Sequence, residues 1–216
     1  MPIKFVALDN NYVELAQTRG FQAFNMKIED YKPVRKTYYV SPANSLCFMD
    51  GGIDRALSTI VFPGIESTIK NILVKLNIKT TLGRPYLPIG SSIIIDNNSN
   101  NTSLIVAPTM LLPQNVSKTQ NAYIATMAIL YNILVNRMEN IDNVDILFTS
   151  LCCGYGKMNI EDSMNQILQA INDYETYHPI IINKSIIISE PNLFEQPKYY
   201  QNSEWFHIDP SEIELP

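Results

Sequence analysis

Two glycine-bearing stretches hold most of the residues whose types and spacing could do chemistry. The first is SPANSLCFMDGGIDRAL, Ser41 to Leu57, where Asn44 precedes the pair Gly51-Gly52 and Asp54 follows it. The second is SLCCGYGKMNIEDSM, Ser150 to Met164, where Gly154 and Gly156 flank Tyr155. Together they carry four of the eight glycines in the chain, so the two loops are the places where backbone can best approach a ligand. Consecutive N–H groups in such loops bind anions, and a helix N-terminus adds to the effect. Each stretch also has a plain reading. A Gly-Gly turn with Asp54 as the N-cap of a helix accounts for the first. Asn44 as a turn residue bonding its own backbone accounts for the rest of it. Two glycines at a strand-to-helix turn are common in α/β chains.

Other chemistries find little support. The Gly-x-Gly-x-x-Gly dinucleotide fingerprint and the Gly-Lys-Ser/Thr ending of a P-loop are absent, as is a Gly-x-Ser-x-Gly nucleophile turn. His178 and His207 lack metal-ligand spacing. Cys152 and Cys153 are adjacent rather than spaced as Cys-x-x-Cys, which argues against a thioredoxin-like or zinc site. The reading therefore includes no metal and no cofactor.

The elements that must position the two loops are legible from periodicity. Short apolar runs rich in β-branched and aromatic residues recur at Ile3–Leu8, Phe21–Ile28, Thr37–Val40, Ser91–Ile95, Leu104–Ala107, Val144–Thr149 and Ile180–Ile188. Helical spacing joins Ile65, Ile69, Leu73 and Leu76. It also joins Ile124, Ala128, Tyr131 and Val135 in a helix over about 117–137, and Ile160, Met164, Ile167 and Ile171 in another. Helices interleaved with apolar strands predict an α/β sandwich with a mixed or mostly parallel sheet. Each glycine loop follows a strand, so both can meet one ligand at the carboxyl edge of the sheet, and a diphosphate between two sugars would suit two facing loops. The stretch Ile95–Ser103 is polar and predicts a hairpin or loop. From about residue 191 to 216 the chain has no period but several aromatics, among them Phe194, Tyr199, Tyr200, Trp205 and Phe206, which predicts an extended tail that docks on something.

Composition bounds the function. At 216 residues, 46% hydrophobic and 17% charged, the chain suits one domain over 1–190 followed by the tail. A net charge of −5 argues against affinity built on neutralising nucleic-acid phosphates, so no direct nucleic-acid binding is expected. No apolar run approaches the ~20 residues of a membrane helix, and the N-terminal residues do not read as a signal peptide. Three cysteines, Cys47, Cys152 and Cys153, suit a reducing, cytoplasmic compartment. Oligomeric state is not readable.

The stretch YVSPANSLCFMDGGID resembles the first ligand loop of macro domains, the ADP-ribose-binding modules. Their hydrolytic branch carries Asn, six residues, Gly-Gly, a small aliphatic residue and Asp, matched here by Asn44, Gly51, Gly52, Ile53 and Asp54. GRPYLPIGSSIII, LIVAPTM and CCGYGKM resemble the family's later segments, the last of them its phosphate loop, so the likeness spans about 20–175. Its variant form, with SPANS and MDGGID, departs from the family where Ser41 and Pro42 replace Asn and Ala, and where Cys153 stands for Thr.

The resemblance implies a three-layer α/β/α sandwich around a central mixed sheet. It implies ADP-ribose, free or carried on a protein, as the ligand and partner. Asp30, with Glu29 as the competing choice, would bind the adenine. Ala43, Asn44, Gly51, Gly52 and Ile53 would line one side of the diphosphate and distal ribose, and Cys153, Gly154, Tyr155 and Gly156 the other. Asn44 and Asp54 would be the catalytic pair of an ADP-ribosyl hydrolase, acting on mono-ADP-ribosylated proteins or on ADP-ribose 1″-phosphate and O-acetyl-ADP-ribose. A non-catalytic reader of ADP-ribosylated partners is the alternative.

Overall fold

In the computed structural model of the chain, residues 3–80, 82–97, 101–137 and 139–177 are described. The apolar run near Ile180 and the tail from 191 lie outside them. Six strands form one sheet: β1 (Ile3–Ala7), β2 (Gln22–Asn25), β3 (Lys36–Ser41), β4 (Ile93–Asn97), β5 (Thr102–Val106) and β6 (Val144–Phe148), in the order β2-β1-β6-β3-β5-β4. All neighbours run parallel except β4, which pairs antiparallel with β5. The sheet is thus mixed, as its sequence implied.

Helices cover both faces: α1 (Asn10–Thr18), α2 (Gly52–Ala56), α3 (Ile65–Lys75), α4 (Asn121–Tyr131) and α5 (Ile160–Tyr177). Side chains alternate across each strand, so successive residues enter different cores. Tyr38, Val40, Ile105, Ile146 and Phe148 pack with Tyr12, Ala125, Ile129, Met164 and Ile167 on the α1-α4-α5 side. Tyr39, Leu104, Val106 and Leu147 pack with Leu57, Ile69 and Leu73 on the α3 side. Two cores on one sheet make the α/β/α sandwich. Each fully buried Leu, Ile or Phe stabilises it by about 1.5–3 kcal/mol before chain entropy is subtracted.

Helix α3 bears out the periodic reading, since Ile65, Ile69 and Leu73 are its buried stripe. Helix α4 is apolar on nearly all sides, with Ala122, Ile124, Ala125, Ala128, Ile129 and Leu130 all buried. The chain continues from it into a π-helical turn over Asn132–Asn136. Helix α5 runs through Tyr177, past the periodic stripe that ends at Ile171. Helix α1 is an element the periodicity reading passed over. Its signal is the acid Asp9, whose side chain accepts from the Asn11 N–H at 2.9 Å, ahead of buried Tyr12, Val13 and Ala16.

The amino ends of β1 and β6 are pinned by charge. Buried Asp145 accepts from Lys4 Nζ at 2.8 Å and from Arg35 at 2.6 Å. Burial pushes its carboxyl upward, but Arg35 and Lys4 outweigh that and hold it below the ordinary aspartate range. This leaves the carboxyl ends of the same strands free to carry loops.

Candidate functional site

The carboxyl ends of β1, β3, β5 and β6 lie side by side, and the loops leaving them enclose a cleft of about 320 Å³. Leu8 and Asp9 come from the end of β1. Pro42, Asn44, Phe48 and the run Asp50–Asp54 come from the β3 loop. Thr109, Met110 and Pro113 follow β5, and Thr149, Ser150, Cys152, Gly154 and Tyr155 follow β6. The two glycine stretches, distant in sequence, therefore face one cavity. They meet at Gly51 and Tyr155, where a Cβ added to the glycine would stand 3.6 Å from the tyrosine ring.

The β3 loop is built by local hydrogen bonding. Asn44, buried, accepts from the Leu46 N–H at 3.1 Å and donates to the Phe48 carbonyl at 3.0 Å. Its amide shapes the turn, as the plain reading of that residue anticipated. The β5 loop is tied alongside, with the Ser45 N–H donating to the Met110 carbonyl at 2.8 Å. Ala43 is buried behind the loop and does not line the cleft.

The glycine pair divides its work. Gly52 has φ +52°, a left-handed conformation costly to residues with a Cβ, and it starts α2. Gly51 is extended, so its lack of a side chain matters for space beside Tyr155. In the β6 loop Gly156 is required by the turn: a Cβ there would lie 2.2 Å from the Cys152 carbonyl oxygen. Gly156 and Cys153 stand outside the cleft lining, while Cys152, Gly154 and Tyr155 are within it. Helix α5 begins at Ile160, as its periodic stripe reads, and its first turn does not line the cleft: Asn159 accepts from the Glu161 N–H at 2.8 Å, and Glu161 and Asp162 occupy that turn.

Asp54 sits in the first turn of α2 and lines the cleft. It is half-buried, and its Oδ1 accepts from the buried Ser41 Oγ at 2.7 Å. Burial is the main influence on its carboxyl, Ser41 opposes it, Asp50 adds repulsion, and the net effect lifts the pKa to about 7. The position thus holds a carboxyl that is both acid and base near neutrality. Ser41, noted only as a departure from the family pattern, is a partner that sequence reasoning did not assign.

Asp30 lies elsewhere. It is exposed at the end of the 3-10 turn Ile28–Asp30, and neither it nor Glu29 is among the lining residues. The acid at the β1 end of the cleft is Asp9. The strand order brings Asp9 rather than Asp30 to the cleft, because β1 lies beside β6 and β2 lies at the edge of the sheet. No Lys or Arg lines the cleft among the described residues. Anion binding here would fall to backbone N–H groups. Among the described residues no cluster of His, Cys, Asp and Glu is arranged to hold a metal ion, and no helix is long and apolar enough to cross a membrane.

No protein-family model matches the chain, and no curated protein matches it. Solved structures do. The chain is similar to the Oceanobacillus iheyensis macrodomain with ADP, at TM-score 0.52 and 19% identity over 68% of this chain and 72% of that one. Against the same macrodomain with MES bound the values are 0.52 and 19%, over 69% and 73%. A glycine-to-valine mutant of it with ADPR gives 0.50 and 18%, over 68% and 74%. At this identity the shared property is the fold, an α/β macrodomain fold with its mixed six-stranded sheet.

Proposed function

We propose that the cleft binds ADP-ribose and that the protein is a hydrolase releasing ADP-ribose from modified proteins or small ADP-ribose conjugates. The observation that carries this reading is the convergence of both glycine loops, Asp9 and Asp54 on one cleft at the carboxyl edge of the sheet. The macrodomain fold, found in a protein whose solved structures hold ADPR and ADP, supports the ligand class.

In this reading the diphosphate lies between Gly51-Gly52 and the Cys152–Tyr155 stretch, held by backbone N–H groups. That arrangement suits an acidic chain with no basic side chain in the cleft. Asp9 takes the adenine at the β1 end, a role the exposed Asp30 is poorly placed to fill. Asp54 takes the distal ribose end. There a water attacks the anomeric carbon, Asp54 accepts its proton, and the carboxylate or phosphate leaving group departs with the bonding pair. A base whose pKa lies near 7 is well matched to that task at neutral pH.

One observation favours the alternative, a reader without catalysis. The Asn44 amide is already engaged by the Leu46 N–H and the Phe48 carbonyl, which limits what it can offer a ribose. Calorimetric titration with ADP-ribose beside AMP, ATP and NAD tests the ligand. A release assay on an acyl-linked substrate and on ADP-ribose 1″-phosphate separates hydrolase from reader. Binding of ADP-ribose no tighter than AMP would remove the distal half of the proposed site.

A further inference from the structure

The wall of the cleft formed by Phe48–Gly52 is held from behind by residues that do not touch the cavity. Met49 is the anchor point. Its N–H donates to Glu66 Oε2 at 2.9 Å and its carbonyl accepts from Ser58 Oγ at 2.9 Å. Its side chain is buried in the core on the α3 side. Both backbone polar groups of this loop residue are therefore satisfied by side chains that follow the loop in sequence, rather than by a strand or turn of its own.

Glu66 stands in the first turn of α3, and its second oxygen pairs with Lys70 one turn further on. The Lys70 ammonium lies 4.5 Å from the centroid of the Phe48 ring, and Phe48 lines the cleft. Burial pushes the Glu66 carboxyl upward, but Lys70 and the Met49 N–H outweigh it and keep it below the ordinary glutamate range. A continuous chain of contacts thus runs from α3 through Glu66 and Lys70 to Met49 and Phe48, immediately ahead of Asp50, Gly51 and Gly52.

We infer that Glu66 is a positioning residue for the ligand cleft, acting through the Met49 amide to pre-set the glycine-pair wall. This rests on the ADP-ribose reading above. A loop with two adjacent glycines is free to sample many conformations, and ordering it on binding costs affinity unless it is ordered beforehand. Glu66 supplies that order with a charged acceptor, the stronger kind of hydrogen-bond partner.

The test uses the full chain, with Glu66→Ala and Glu66→Gln beside wild type. In ligand-free protein, amide exchange at Gly51 and Gly52 is followed by NMR. Glu66→Ala is expected to speed it, while Glu66→Gln, whose amide oxygen still accepts from Met49, stays near wild type. In titrations, Glu66→Ala is expected to weaken ADP-ribose by about tenfold or more while leaving AMP nearly unchanged, because AMP lacks the second phosphate and ribose that face this wall. Glu66→Gln restores ADP-ribose. Native exchange in Glu66→Ala, equal losses for both ligands, or failure of Glu66→Gln to rescue would each overturn the inference. A wild type that binds no ADP-ribose, with exchange still accelerated by Glu66→Ala, rejects the ligand reading and leaves the positioning of the wall standing. Ser58→Ala, which removes the donor to the Met49 carbonyl, supplies the same contrast if Glu66→Ala does not fold.

Discussion

Ser41 and Asp54 share a hydrogen bond of 2.7 Å, from the last residue of β3 to the first turn of the helix that follows the glycine pair. The bond closes the loop between them and fixes the one cleft carboxyl whose pKa is lifted to about 7. Ser41 itself is fully buried.

The first prediction concerns pH. A base must be deprotonated, so release of ADP-ribose should rise with pH through about 7 and then level off. Affinity for ADP-ribose should move the other way, falling modestly as Asp54 becomes negative in the same cleft as an anionic ligand. Parallel rate and binding profiles between pH 5 and 9 check both. A flat rate profile across neutrality would remove Asp54 as the base.

Stability carries the matching sign. The folded pKa of Asp54 lies above the unfolded value of 3.8, so the native state holds a proton that the unfolded chain releases. The resulting contribution is fully present below pH 3.8 and is lost as pH rises through about 7. Asp54→Asn should therefore stabilise the protein at pH 8 by on the order of 1–2 kcal/mol, discounted because the side chain is only half-buried, and do little at pH 4. Urea unfolding at the two pH values is the measurement.

Asp54→Ala should keep ADP-ribose binding within about tenfold, or ~1.4 kcal/mol, yet abolish release from a mono-ADP-ribosylated acidic residue. The carboxyl acts on water at the anomeric carbon, so its loss falls on the transition state more than on the bound ligand. Loss of binding and folding together would return Asp54 to a purely structural role.

The glycine pair should separate by substitution. Gly52→Ala forces a Cβ onto a left-handed backbone and should cost about 1–2 kcal/mol of stability. Gly51→Val meets no such strain but fills the gap beside Tyr155, so it should leave the melting temperature nearly unchanged while weakening ADP-ribose strongly. Thermal unfolding and calorimetry on both variants distinguish a turn from a ligand wall.

Asp9→Asn should weaken ADP-ribose and AMP alike, while Asp30→Asn should change neither by more than about twofold, since only Asp9 lines the cleft. Asparagine keeps the cap that Asp9 provides to α1, so the fold is unaffected. A reversed order would move base recognition to the 3-10 turn.

Much of this protein is decided locally and is legible in the chain. Tyr38, Tyr39 and Val40 read as a buried strand because a short continuous run of aromatic and β-branched residues suits a strand covered on both faces, and here the three do enter the two cores in turn. The stripe Ile65, Ile69 and Leu73 reads as a helix because its spacing repeats at 3.6 residues. The spacing from Asn44 to Asp54 pointed to the β3 loop, because a turn and the helix after it are built from neighbouring residues.

Only the tertiary structure decided which groups share the cleft. Asp9 and Asp30 are both acids just past a strand, and nothing local distinguishes them. What does is the strand order, which places β1 beside β6 and β2 at the edge. Tyr155 meets Gly51 because β6 and β3 pair in parallel, bringing the carboxyl ends of two distant segments together. The Asp54 carboxyl rises to about 7 because burial, with repulsion from Asp50, outweighs the opposing hydrogen bond from Ser41. Strand order and burial are sums over contacts between residues remote in sequence, and no window of neighbouring residues contains them.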